Sequence, residues 1–147
     1  MLVRAVFAFL ALPGVVAFLL PASLATITRS TLQRPIGAVL IAVGSAALLW
    51  CVRDFYVAGK GTLAPWAPPR HLVVVGLYRY SRNPMYVAVA TILLGWAIAF
   101  RSAGLLAYAV VVIAAFHLRV VFGEEPWLAS RHGDAWQQYT RRVRRWL

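Results

Sequence analysis

PMYVAVATILLGWAIAFRSAGLLAYAVVVIAAFHLRVVF, residues 84–122, is the stretch that decides the fold. Pro84 to Phe100 and Gly104 to Phe122 are both apolar runs of the length a helix needs to cross a bilayer, about 17 to 25 residues. Only Arg101-Ser102-Ala103 separates them, so the two helices must run antiparallel as a hairpin. One open end is Asn83-Pro84; the other carries His117, Arg119 and Glu124-Glu125. Topology alone therefore brings residues far apart in sequence to one place.

Working outward, Ala5 to Ala25 and Pro35 to Val52 are two further windows of the same kind. With 62% hydrophobic and 13% charged residues, the composition is that of a membrane protein. The expected architecture is all-α, an integral membrane bundle of about four transmembrane helices with a C-terminal helical hairpin and a cytoplasmic amphipathic tail helix. It forms one domain over residues 1–147: two spans in 1–53, an ordered cytoplasmic loop in 54–83, the hairpin in 84–122 and a tail in 123–147. Arg4, the first apolar run and Ser23-Leu24-Ala25 also fit a cleavable signal. Cleavage would leave three spans and put the two basic segments outside, so an uncleaved first helix is expected. Pro13-Gly14 should kink that helix, and Gly37, Ala42, Gly44, Ser45, Ala46 and Ala47 should let the second approach a neighbour closely.

Four spans place every Lys and Arg except Arg29, Arg34 and Arg101 on one side, together with all four acids, Asp54, Glu124, Glu125 and Asp134. The positive-inside rule makes that side cytoplasmic. The expected location is thus a multi-pass protein of a bacterial-type plasma (inner) membrane with both termini in the cytoplasm. A net charge of +11 also raises nucleic acid as a partner, but the basic residues flank spans rather than forming a basic soluble domain with base-stacking aromatics. No nucleic acid is expected. The lone Cys51 excludes an internal disulfide and a cysteine metal site, and is expected as a small buried apolar residue. There is no HExxH, GxGxxG or P-loop, and Gly59-Lys60-Gly61 is too short to count as a nucleotide motif. No metal is expected.

The loop holds Tyr56, Trp66 and the apolar run Leu72 to Val75, and is read as ordered and packed at the interface, with turns at Gly59-Lys60-Gly61, Pro65, Pro68 and Pro69. After Gly123, EEPWLASRHG suggests a short helix ended by Gly133. Asp134 then caps another helix, with Gln137 at the capping-box position. There Trp136, Tyr139, Val143 and Trp146 or Leu147 form an apolar stripe opposite Arg141, Arg142, Arg144 and Arg145. Such a basic amphipathic helix is expected to lie on the membrane surface.

Several residues at the hairpin's open ends admit two readings. Asn83-Pro84 is a helix start, with Asn capping free amides and Pro at the first helical position; beside Arg82 the same helix end is also an anion site. Tyr78, Tyr80 and Tyr86 suit an aromatic belt or the faces and phenols that hold a cation. Glu124-Glu125 either pairs with nearby arginines or handles a ligand, and His117 precedes Glu124 by two helical turns. His71, between Arg70 and an apolar run, reads by itself as an interfacial histidine.

GLYRYSRNPMY (76–86), the hairpin, GEEPWL (123–128) and HGDAWQQYTRRV (132–143) together resemble the C-terminal core of the isoprenylcysteine carboxyl methyltransferase and phospholipid methyltransferase superfamily. The likeness runs from about Pro65 to the end. It rests on Gly76 with Tyr78, Arg82-Asn83-Pro84 with Tyr86, Glu124-Glu125, and Gly133 with Trp136 and Tyr139, in that order around one hairpin. The resemblance implies S-adenosyl-L-methionine as methyl donor, held around His71, Gly76, Leu77, Tyr78, Arg82, Asn83, Pro84, Tyr86 and Glu124. Glu124 and Glu125 would act on its amino group or on the acceptor, and Arg119 would orient an anionic acceptor. The implied activity is methyl transfer to a lipophilic carboxyl, amine or thiol at the cytoplasmic face. Asn83 stands where the eukaryotic prenylcysteine enzymes carry His, and the chain lacks their additional N-terminal spans, so a prenylated protein is not the implied substrate. The alternatives are an NADPH-dependent membrane reductase of the steroid-reductase type and a non-enzymatic lipid-binding scaffold.

Overall fold

The computed structural model describes residues 10–29, 31–59 and 71–147. Over these the chain is all-α. A π-helix, Leu10–Leu19, leads into α1 (Leu20–Ile27), followed by α2 (Pro35–Val57), α3 (Pro84–Phe100), α4 (Ala103–Arg119) and α5 (Glu125–Arg142). No strand forms among the described residues, where Ser81 and Arg144 make an isolated bridge. α2 and the continuous stretch Ala103–Arg142 are long and apolar enough to cross a membrane, while Pro13–Ile27 and α3 are shorter apolar helices. Arg4, the expected start of the first span at Ala5, and Lys60, Gly61, Pro65, Trp66, Pro68 and Pro69 lie outside the described residues.

The hairpin forms as its sequence requires. α3 ends at Phe100, and Arg101 turns the chain in the left-handed conformation, φ 47°. The Ser102 hydroxyl then accepts the Leu105 N–H at 3.3 Å, an N-cap that starts α4 one residue later.

α2 and α3 make the tightest crossing. A β-carbon on Gly37 would fall 2.3 Å from the Ala99 nitrogen, and one on Gly44 would fall 2.7 Å from Ile92 Cγ1 and 2.9 Å from the Ala88 carbonyl. On the facing helix Gly95 is as closely held, 2.9 Å from the Gly37 carbonyl. Backbone thus packs on backbone, as small residues permit between apolar helices. Just before α2, the Gln33 and Arg34 N–H groups donate to the Ala99 carbonyl at 2.8 and 3.1 Å, tying the start of α2 to the end of α3.

The first helix is held by a different device. Pro21 has no N–H, so the Ala17 carbonyl loses its α-type partner four residues on, and the Val16 carbonyl loses its π-type partner five residues on. These two carbonyls accept instead from Trp96 Nε1 at 3.0 Å and Tyr108 Oη at 2.9 Å. Where a kink was expected at Pro13-Gly14, the helix takes the wider π form, whose larger turn relieves the clash of a proline ring with the preceding turn.

Ala17, Leu48, Val89, Ile92, Leu93 and Ala109 fill the core. Ile36, Val39 and Val43 on α2 and Leu106, Val110 and Val111 on α4 are exposed, an outward apolar surface suited to hydrocarbon rather than water.

Three expectations need correction. α2 continues past Val52 to Val57, because no helix breaker precedes Ala58-Gly59, and it carries Asp54 into the interior. The helix does not break at Gly123 but runs through a π turn, Val120–Glu124, into α5; at Gly133 (φ 47°, ψ −119°) the helical conformation is interrupted, as expected, and two helical segments meet at a kink. The stripe Trp136, Tyr139 and Val143 is buried against Leu72 and Leu128 rather than laid on a membrane. The Tyr139 hydroxyl donates to the Tyr78 carbonyl at 2.7 Å, which ties this stripe to the turn before α3. α5 stops at Arg142, so Trp146 and Leu147 fall outside the stripe.

Candidate functional site

Gly76 to Arg79 form a 3₁₀ turn packed on the C-terminal end of α2. Gly76 is required there twice over. Its φ is +56°, a left-handed conformation costly for other residues, and a β-carbon would lie 2.0 Å from Asp54 Oδ2 and 3.0 Å from Trp50 Nε1. The turn delivers Tyr78 into a buried cluster with Cys51 and Val73.

Next, Ser81 to Asn83 pair with the C-terminal residues as a short strap. The Arg82 N–H donates to the Arg144 carbonyl at 2.9 Å, and Asn83 Nδ2 donates to the Arg145 carbonyl at 3.0 Å. Ser81 Oγ accepts the Asn83 N–H at 3.1 Å and donates to the Arg145 carbonyl at 3.4 Å. The Asn83 side chain therefore does not cap α3, as its position before Pro84 suggests; its amide is drawn to the strap, and no side-chain cap bond forms. Beyond the strap, the Trp146 ring stacks on His117, centroids 5.8 Å apart.

The π turn decides what Glu124 meets. Arg119 and Glu124 are five residues apart, a spacing that shares a face in a π-helix and not in an α-helix. Arg119 Nε donates to Glu124 Oε1 at 2.8 Å, and the Tyr86 hydroxyl, from the first turn of α3, donates to the same oxygen. Tyr86 also packs on Phe116, centroids 4.6 Å apart. Glu125, one residue on, faces the strap: Arg82 reaches its Oε1 at 2.9 Å, and Arg145 binds both oxygens, at 3.0 and 2.8 Å. Arg82 in turn lies over the Trp136 ring, 5.8 Å from its centroid.

Burial sets the titration of the tyrosines beneath. It pushes Tyr139 up to about 12, against the opposing pull of the Arg82 charge. Burial likewise holds Tyr78 well above the ordinary tyrosine value. Three polar atoms here are buried without a hydrogen-bond partner among the described residues, the Tyr78 hydroxyl, Asp54 Oδ2 and Arg82 Nε.

Of the residues expected at the site, Tyr86, Glu124 and Arg119 form one group. Arg82, Asn83 and Glu125 form a second with the strap, and Gly76, Leu77 and Tyr78 a third, on α2. Pro84 is buried at the start of α3. His71 is exposed and has no side-chain partner among the described residues. His117 turns to Trp146 rather than to Glu124, because the π turn changes its phase. Sequence reasoning missed Asp54, Ser81 and Arg145. Asp54 carried a usable signal, as a rare acid followed by aromatic residues at the end of an apolar run; the strap carried none. A groove of about 550 Å³, lined by Leu72, Arg79, Gln138 and Arg142, borders the site through Tyr139 without including Tyr86 or Glu124.

The family model for phospholipid methyltransferase matches residues 32–135, a range that takes in α2, the turn, the hairpin, the π turn and most of α5. No curated protein and no solved structure matches significantly.

Proposed function

The chain belongs to the phospholipid methyltransferase family, whose members methylate lipid-type substrates, and from that premise we propose that it transfers a methyl group from S-adenosylmethionine to a lipophilic acceptor at the cytoplasmic face. The observation that carries this reading is the meeting of Tyr86 with Glu124 and Arg119, with Tyr86 and Glu124 38 residues apart in sequence. We place four spans, in residues 5–25, α2, α3 and α4. Both termini, the 54–83 segment and the tail then lie in the cytoplasm, where basic residues gather.

The donor would supply an electrophilic methyl group on a positively charged sulfur. The residues present suit it: the Tyr78 hydroxyl is buried with no partner of its own among the described residues, and the first turn of α3 offers amides and a positive dipole end to a carboxylate. Asn83 serves indirectly, by fixing the strap. Arg119 spends only Nε on Glu124, so the rest of its five-donor fork is available to the phosphate or carboxylate of an acceptor. Glu124 sets the directions of Arg119 and Tyr86 together. Holding the reactants aligned away from water is worth roughly 7 to 11 kcal/mol in such displacements.

The test is thermal stability of the detergent-solubilised chain with S-adenosylmethionine, S-adenosylhomocysteine and NADPH, since a ligand of the native state raises apparent stability by mass action. Transfer of labelled methyl groups into a bacterial lipid extract is followed in parallel. Stabilisation by the first two compounds and label in the lipid fraction are expected. Stabilisation by NADPH alone would move the protein to the reductase class.

A further inference from the structure

The acids expected to meet the cationic donor are already occupied. Glu124 holds Arg119 and Tyr86, and Glu125 is clamped between Arg82 and Arg145. Asp134 is exposed on the tail helix beyond the bend at Gly133. That leaves Asp54. It is 5% exposed, at the C-terminal end of α2. Oδ1 is 3.4 Å from Arg53, a long contact to a side chain 71% exposed, and Oδ2 has no partner among the described residues.

Such a carboxylate is costly. Removing an anion from water without a well-formed partner costs several kcal/mol, and its surroundings are mainly apolar, with Phe55, Leu77 and Met85 packed around Cys51, Val73 and Tyr78. Yet the chain is shaped around it. The place a β-carbon on Gly76 would take is filled by the carboxylate, with Asp54 Oδ2 2.0 Å and Trp50 Nε1 3.0 Å from it. A second unpartnered group, the Tyr78 hydroxyl, lies two residues along the same turn.

We propose that Asp54 is a binding residue for a cationic group of the methyl donor, its free oxygen completing the site beneath the Gly76–Tyr78 turn. This rests on the donor reading above and deepens it. The donor brings two positive groups, an ammonium and a sulfonium, to a mouth that is otherwise strongly basic. One unspent carboxylate at the turn balances that charge, which the arginine-paired glutamates do not. A purely structural acid would be bonded to the turn it supports; this one leaves Oδ2 without a hydrogen bond among the described residues.

The experiment compares wild type with Asp54→Asn in detergent, reading ligand-free melting temperature and the affinities for S-adenosylmethionine, S-adenosylhomocysteine and 5′-methylthioadenosine. The three compounds carry both cations, the ammonium only, and neither. The expected result is a ligand-free melting temperature equal to or above that of wild type, with roughly tenfold or greater loss of affinity confined to the charged compounds. Loss for both charged compounds places the ammonium at Asp54; loss for S-adenosylmethionine alone places the sulfonium there. Affinities within twofold of wild type, an equal loss for all three compounds, or a destabilised or unfolded ligand-free protein would each overturn the inference. A wild-type protein that none of the three stabilises would overturn the donor reading itself, and this inference with it.

Discussion

The α2–α3 crossing and the polar mouth beside it solve opposite problems. At the crossing, Gly37, Gly44 and Gly95 remove side chains so that backbones touch; the contact is dry, local to two helices and tolerant of nothing larger. At the mouth, Glu124 and Glu125 collect Tyr86, Arg82, Arg119 and Arg145 from three separate stretches of chain. The crossing fixes where the two halves of the chain sit, while the mouth uses that fixed frame to hold charge. Stability should therefore depend most on the first and activity most on the second.

The largest effect is expected from Gly37→Ala. A methyl group 2.3 Å from a backbone nitrogen has no flexible neighbour to displace, so α2 and α3 must separate, at a cost of about 3 kcal/mol or more. Thermal unfolding in detergent checks this. A melting temperature within a degree of wild type would show that the crossing is looser than described.

Within the mouth the two adjacent glutamates should part company. Glu125 is 14% exposed and holds Arg82, also 14% exposed, so Glu125→Gln strands buried charge and should cost about 2 to 4 kcal/mol. Glu124 is 33% exposed and its partner Arg119 is 54% exposed, a pair worth at most about 1 kcal/mol. Glu124→Gln should leave the protein folded and lower methyl transfer by tenfold or more. Melting curves and labelled-methyl assays on both variants separate the roles; wild-type turnover in Glu124→Gln would remove that residue from the chemistry.

A smaller loss, about 1 to 2 kcal/mol, is expected for Trp96→Phe. It leaves the Ala17 carbonyl, already deprived by Pro21, with no donor. The double variant Trp96→Phe/Pro21→Ala should lose less than the sum, because an alanine N–H restores the helical bond, and melting temperatures of the set report the difference.

The difference between the two regions also explains what could be read in advance. Arg101-Ser102-Ala103 dictated the hairpin, and the hairpin dictated that its open ends, Asn83-Pro84 and the stretch from His117 to Glu125, would come together, since both follow from helix length and a short connection. Asn83-Pro84 marked the start of α3 correctly but not the fate of the Asn83 amide, which depends on a carbonyl 62 residues away. The pairing of Arg119 with Glu124 hung on a π turn that no local pattern announces, and the strap pairs through backbone groups, which every sequence possesses. Gly76 was visible as a motif residue; the reasons for it were not, because they are a left-handed φ of +56° and the Asp54 carboxylate against it.

The smallest effect is a test of burial at the seam between the two regions. Burial pushes Tyr139 up to about 12, while in the unfolded chain a tyrosine titrates near 10. The folded state thus keeps a proton that the unfolded state gives up. By linkage, the stability owed to this group is intact below about pH 10 and falls as pH rises toward 12. Tyr139→Phe should cost about 1 kcal/mol at neutral pH, through loss of the bond to the Tyr78 carbonyl. It should also flatten the decline between pH 10 and 12 without abolishing it, because Tyr78 is held above its ordinary value by the same burial. Chemical unfolding in detergent at pH 8, 10 and 11 measures both. An unchanged alkaline slope in Tyr139→Phe would mean that the tail helix does not bury its tyrosine, and that α5 rests on the bilayer as its amphipathic pattern alone suggests.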